Sequence, residues 1–116
     1  MRTAYKAAVV AAVVAVIVAA TLHHPSPVET ITVCGVITPK PVVKRVELQG
    51  KVGHAVDWRT GEVLIDSRAV NYTEVYQHEL AHLVVDNAHQ SSQGHTPEFY
   101  AMEAYLKGAL TECPNG

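Results

Sequence analysis

The stretch His78-Glu79-Leu80-Ala81-His82 decides the fold of this chain and lies inside a predicted helix over residues 71–87. Residues four apart on a helix are neighbours on one face, so His78 and His82 can direct imidazole nitrogens at one metal ion. Glu79 borders that face, which suits a carboxylate that holds a metal-bound water rather than the metal. The pentapeptide predicts a Zn²⁺ site with two histidine ligands and Glu79 as the catalytic residue.

The remainder of this predicted helix is amphipathic. Asn71 is a suitable N-cap, and Glu74 three residues later completes an approximate capping box. Apolar residues recur at helical spacing and predict a face that packs on a sheet, namely Val75, Tyr76, Leu80, Leu83 and Val84. The histidines and Asp86 are expected on another side.

Before this helix, the chain predicts three or four short strands, mostly antiparallel. The candidates cover residues 30–38, 42–48, 54–57 and 62–66. The first is rich in β-branched residues and is predicted as one strand bent at Gly35. The last two form a predicted hairpin, in which Gly61 supplies the left-handed residue of the turn. The expected fold class is therefore α+β, with a mostly antiparallel sheet packed on the helix of His78.

A second helix is predicted after a polar loop. Thr96 is its N-cap, Pro97 is its first residue, and it runs to about Lys107 or Leu110. Its predicted inward residues are Phe99, Met102, Leu106 and Leu110.

A catalytic zinc usually takes three protein ligands and leaves one position for water. His95 is the preferred third ligand, because it lies in the turn before the second helix and a short loop lets that helix fold back over the first. Glu103 is the second choice and His89 is the third. Asp86 is a candidate to orient a ligand. The candidate donors to a developing oxyanion are Tyr100, Tyr105 and His89.

The pentapeptide, followed by Gly94-His95-Thr96-Pro97-Glu98-Phe99, resembles the SprT-like zinc metallopeptidases over residues 71–107. In that family the third ligand lies in a His-Gly-x-x-Phe/Trp segment that begins a helix. The resemblance therefore implies His95 as the third ligand and a minimal zincin with a twisted sheet beside the active-site helix. The chain departs from the family at Thr96, where glycine is usual, and it lacks the family's nucleic-acid-associated regions. The DNA-repair role of some members is not carried over.

The N-terminal segment has the layout of a signal peptide or membrane anchor. Ala7–Leu22 contains no charged or strongly polar residue except Thr21, and it follows the cationic Arg2 and Lys6. Cleavage after Ala20 and retention as an anchor both remain open, and the rest of the chain is expected outside the cytoplasm. The predicted organisation is residues 1–22 as this segment, 23–29 as a linker and 30–116 as the metallopeptidase domain.

The net charge of the chain limits the classes of partner that are expected. The formal net charge is −2, and the part without Arg2 and Lys6 is more acidic still, which argues against nucleic acid. The expected partners are a peptide or protein substrate and, through the N-terminal segment, the membrane; a monomer is expected.

Cys34 and Cys113 can pair in an oxidising compartment, with about 4 kcal/mol of stabilisation in the chain-entropy model, or stay as thiols in a reducing one.

The expected function is an exported or membrane-tethered zinc metallopeptidase that hydrolyses peptide bonds through a zinc-bound water activated by Glu79. Two alternatives stay open at this stage. One is a zinc-binding structural or interaction module without turnover, and the other is a hydrolase of cell-wall crosslinks.

Overall fold

A computed structural model describes residues 28–114, in which five strands precede two helices. The elements are β1 (Thr30–Val33), β2 (Val36–Pro39), β3 (Val42–Val46), β4 (Gly53–Asp57), β5 (Glu62–Asp66), α1 (Tyr72–His89) and α2 (Pro97–Leu106). This part of the chain is therefore α+β, with two sheets and two helices. The predicted signal or anchor segment and most of the predicted linker lie outside the described residues. Within residues 28–114, neither helix combines the length and apolarity that a membrane crossing requires.

The first strand candidate is a hairpin, so the prediction of a single bent strand was wrong. β1 and β2 pair antiparallel, and the turn between them consists of Cys34 (φ 49°) and Gly35 (φ 78°). Two successive residues with positive φ make the type I′ turn, whose twist matches that of the flanking strands. The β-branched composition continues through both strands and does not mark the turn.

The other three strands form a second sheet in the order β3-β5-β4. The β4–β5 hairpin is confirmed, and Gly61 has the expected positive φ of 80°. The prediction of one sheet was wrong, because the described strands form two sheets. Their pairing is mostly antiparallel as predicted, and the exception is β3, which pairs parallel with β5. The parallel pair arises because β5 enters between β3 and β4, which residues 47–52 connect.

Helix α1 packs against both sheets through two apolar clusters instead of one face. Val75 and Leu83 contact Val63 and Ile65 of β5. The other cluster joins α1, α2 and the β1–β2 hairpin, and its buried members are Leu80, Ala81, Val84, Val85, Phe99 and Met102. Asn71 is the N-cap residue as predicted, but its side chain makes no capping hydrogen bond. Buried between two clusters, α1 is held along most of its length.

Helix α2 begins as its sequence predicts. The Thr96 hydroxyl accepts a hydrogen bond from the Phe99 N–H at 3.1 Å, and Pro97 is the first helical residue. The helix ends at Leu106, and Gly108 follows with a φ of 83°. Leu110 lies beyond this end and is 41% exposed, so its predicted inward position was wrong.

A disulfide bond joins the hairpin turn to the C-terminal segment. Cys34 and Cys113 are bonded across 79 residues of sequence. The paired alternative therefore holds, and a loop of this length corresponds to about 4 kcal/mol of stabilisation in the chain-entropy model. The bond fastens the segment after α2 to the apolar cluster that α2 shares with α1.

Candidate metal centre

Three histidines come together where α1 faces the start of α2. His78 and His82 lie one turn apart on α1, and His95 directly precedes the N-cap of α2. One ring nitrogen from each lies within 4.8 Å of the other two. The Nε2 atoms of His82 and His95 are 3.1 Å apart. These three side chains are close enough to hold a single metal ion.

The Phe99 ring supports all three imidazoles. Its centroid lies 4.2 Å from that of His82 in a stacked arrangement, 5.0 Å from that of His78 and 4.9 Å from that of His95. Phe99 is itself fully buried. Because a buried aromatic ring has little room to move, it restricts the rotamers of the histidines that pack on it. Phe99 was predicted as an inward residue of α2 and lies at the aromatic position of the His-Gly-x-x-Phe/Trp segment, but its contact with the histidines was not predicted.

Glu103, the second choice for third ligand, contacts a histidine instead of joining the cluster. Its Oε2 lies 2.5 Å from His78 Nδ1, which leaves His78 Nε2 available to a metal. Burial acts to raise the pKa of Glu103, but hydrogen bonds from His78 and Lys107 outweigh it and the pKa is lowered. An ionised carboxylate on the distal nitrogen fixes the tautomer and orientation of a ligating histidine.

Glu79 is buried beside this cluster with an oxygen left free. The residue is 4% exposed, and Oε2 has no hydrogen-bond partner within residues 28–114. Burial raises the pKa of Glu79, and the positive charges of His78 and Lys51 offset only part of that rise. A carboxyl group with a raised pKa and an unused oxygen has the properties of a general base.

The edge strand β4 approaches Glu79 closely because residue 53 is glycine. A Cβ atom there would lie 3.2 Å from Glu79 Cγ and 2.7 Å from Val75 Cγ1. Cβ atoms in proteins essentially never approach another atom as closely as 2.7 Å. Gly53 therefore allows the β4 backbone to pack directly on the side chain of Glu79.

Burial and charge also act on His82. Desolvation, followed by the positive charges of His78 and His95, lowers the pKa of His82 to about 4. A metal binds the neutral imidazole, so protons do not compete for this nitrogen near pH 7. The neutral form of His82 is thus the one present at physiological pH.

The three histidines and Glu79 line one cavity of about 870 Å³. Its opposite wall is formed by β4 and the loop before it. Asp86 also lines this cavity, but its Oδ1 accepts a hydrogen bond from the Gln93 N–H at 2.9 Å. Asp86 therefore fixes the loop that leads to His95, instead of contacting a ligand as predicted.

The predicted oxyanion donors are not at this cavity. His89, which was also the third choice of ligand, pairs with Glu98 at 2.5 Å. Tyr100 stacks on His95 and is 54% exposed, and Tyr105 packs against the apolar cluster of α1 and α2. None of the three lines the 870 Å³ cavity.

The sequence interpretation missed Lys51 and His54 and gave Phe99 and Glu103 roles other than the contacts with histidines that they make. Phe99 and Glu103 follow His95 at intervals of four, so the helical periodicity of α2 contains a signal for both. Lys51 and His54 line the cavity from β4 and the preceding loop. Only the packing of β4 beside α1 brings them there, and no local pattern in the sequence signals it.

Comparisons with protein-family models, with curated proteins and with solved structures found no match. The resemblance to the SprT-like metallopeptidases therefore stays a prediction.

Proposed function

We propose that this protein is a zinc-dependent metallopeptidase, exported or tethered to a membrane through residues 1–22. One observation carries the proposal: a nitrogen from each of His78, His82 and His95 lies within 4.8 Å of the others, in a cavity also lined by Glu79, whose buried Oε2 has no partner among the described residues. Three imidazoles suit zinc, whereas magnesium and calcium prefer oxygen ligands. A purely structural zinc site would leave the buried Glu79 carboxyl group without a role.

The three histidines would hold the metal and leave a position open toward the cavity. The metal, when bound, would polarise the substrate carbonyl group and lower the pKa of a coordinated water. Glu79 would take a proton from the attacking water and deliver it to the leaving amine, and its raised pKa suits both transfers. Glu103 would keep His78 oriented throughout, through the bond to Nδ1.

The free edge of β4 offers a place for an extended substrate. In residues 28–114, β4 pairs with β5 alone, so its second edge has no strand partner. Val52 directs its carbonyl group toward β5, where Asp66 N–H donates to it at 2.8 Å. Alternation along an antiparallel strand then places the backbone groups of Gly53 and Ala55 on the free edge. A peptide added there would lie along the wall that faces Glu79.

The test is peptidase activity of Glu79→Gln beside a matched control. Glu79→Gln should retain zinc but lose about 10²–10⁴-fold in activity on a broad peptide library, because the base is removed. Glu74→Gln changes an exposed glutamate of the same helix and should leave activity unchanged. Zinc content and cleavage products are measured for both by mass spectrometry. Zinc-loaded wild-type protein that cleaves no peptide would overturn the proposal.

A further inference from the structure

Among the lysines and arginines that the structure describes, Lys51 is the one without a side-chain partner. Within residues 28–114, Lys51 makes no ion pair, side-chain hydrogen bond or cation–π contact. The other lysines and arginines of these residues number six, and five of them pair with nearby carboxylates, namely Lys40, Lys44, Arg59, Arg68 and Lys107. The sixth, Arg45, donates to backbone carbonyl groups and lies over the Tyr72 ring.

Among the histidines of residues 28–114, His54 is the one whose side chain has no partner. His78, His82, His89 and His95 each contact another titratable side chain. The side chain of His54 forms no hydrogen bond with the described residues, and His54 is exposed on β4. Lys51 and His54 are three positions apart, and both line the 870 Å³ cavity. The two unpartnered basic groups therefore share one wall of the candidate active site.

Lys51 and His54 line the same cavity as Glu79 and His82. An exposed charge acts over a range of about one Debye length, roughly 8 Å at physiological ionic strength. A substrate group between the two walls would be within range of Lys51.

Hydrogen bonds hold the loop that carries Lys51 in place on both sides of this residue. Arg68 Nη2 donates to the Leu48 carbonyl oxygen at 2.9 Å, and the Leu48 N–H donates to Asp66 Oδ2 at 3.0 Å. On the other side, Asp66 N–H donates to the Val52 carbonyl oxygen at 2.8 Å. Asp66 and Arg68 are engaged in holding this loop. Lys51 thus stands at a defined place on the cavity wall.

Two cations line this cavity in residues 28–114, Lys51 and Arg68. Arg68 is paired with Asp66, whereas no carboxylate of the described residues lies within ion-pair distance of Lys51. The other carboxyl groups of the cavity are Asp86, which accepts a hydrogen bond from the Gln93 N–H, and Glu79, the proposed base. The ammonium group of Lys51 is therefore free to pair with a group of a bound substrate.

We infer that Lys51 and His54 form an anion subsite that selects peptides carrying a carboxylate close to the scissile bond. The inference rests on the proposed function and specifies its substrate class. Lys51 would pair with the carboxylate, and His54 would donate a ring N–H to it. Acidic peptides would be preferred over their neutral isosteres, and salt would weaken the preference.

The test separates binding from turnover. Zinc-loaded Glu79→Gln protein is titrated with synthetic peptides that carry Glu or Gln at each position in turn, at about 0.01 M and 0.15 M ionic strength. We expect the best Glu peptide to bind about fivefold more tightly than its Gln partner at low salt. In the Lys51→Met background this ratio should fall toward one, and in Lys51→Arg it should be retained. Lys44→Met, which changes a lysine outside the cavity, should keep the ratio.

The outcomes distinguish this inference from the proposed function. Equal binding of the Glu and Gln peptides, no binding of either, or an unchanged ratio in Lys51→Met would overturn the anion subsite. Cleavage by wild-type protein without acidic preference would overturn the subsite alone and leave the peptidase standing. Preferential binding of acidic peptides without any cleavage by wild-type protein would support the subsite and overturn the peptidase.

Discussion

Replacing Gly53 by alanine tests how closely β4 packs on Glu79. The new Cβ would lie 2.7 Å from Val75 Cγ1 and 3.2 Å from Glu79 Cγ. Val75 is buried, and a β-branched side chain on a helix has one strongly preferred rotamer, so its methyl group cannot swing aside. The strand or the helix must shift by a few tenths of an ångström, and the Glu79 carboxyl group moves with it.

The size of the effect follows from two opposing contributions. Gly→Ala gains about 0.4–1 kcal/mol because alanine restricts the unfolded chain. Overpacking of a close-packed region costs about 1–3 kcal/mol. The second contribution is larger, so Gly53→Ala should lower the free energy of unfolding by about 1–2 kcal/mol. Peptidase activity should fall as well, with zinc retained, because Glu79 is displaced while the histidines are not contacted.

The assay is urea denaturation of Gly53→Ala in two backgrounds, wild type and Val75→Ala. Removing Val75 Cγ1 relieves the shortest contact, so the destabilisation should shrink by about 1 kcal/mol or more in the second background. Peptide cleavage in the double variant would show whether the contact with Glu79 alone is harmful. Equal destabilisation in both backgrounds would refute the packing described here.

Three other outcomes follow from individual contacts. Glu103→Gln should weaken zinc binding about 10–100-fold, because the carboxylate no longer orients His78, and a competition titration with a zinc chelator measures this; an unchanged affinity would contradict the role. Reducing the Cys34–Cys113 disulfide should lower the free energy of unfolding by about 2–4 kcal/mol, as urea denaturation with and without reductant would show. Hydrogen bonds from Arg68 hold the pKa of Asp66 well below its usual value. The stabilisation that the ionised Asp66 gives to the folded protein is therefore present above about pH 4 and is lost as the pH falls through the native pKa. Asp66→Asn should reduce this acid dependence of unfolding.

The parts of the fold that local sequence encodes could be predicted. His78 and His82 lie about one helical turn apart, and His95 lies next to the helix cap Thr96. Local sequence patterns therefore indicate all three histidines of the cluster. Strand pairing is not local. Insertion of β5 between β3 and β4 depends on which edges meet in three dimensions, so the parallel pair and the second sheet had no signal in the alternation pattern.

The same distinction applies to the site. The three predicted ligands converge because His78 and His82 share α1 and His95 lies directly before the N-cap of α2. Glu103 was predicted as the second choice of ligand, because a glutamate on a following helix completes the ligand set in another zinc-peptidase layout. Its contact with His78 Nδ1 depends on how α2 crosses α1, which the local sequence does not show. Lys51 reaches the cavity only because β4 is the edge strand beside α1. Contacts set by tertiary packing were therefore the ones that the sequence did not reveal.

The most direct test of the central claim is the zinc stoichiometry and affinity of the full chain beside His95→Ala and His89→Ala. Wild-type protein should bind one zinc ion per chain, because three ring nitrogens converge at one point. His95→Ala should lose most of this affinity, while His89→Ala should retain it, since His89 pairs with Glu98 away from the cluster. Wild-type protein that binds no zinc, or His95→Ala that binds it as tightly as wild type, would contradict the account.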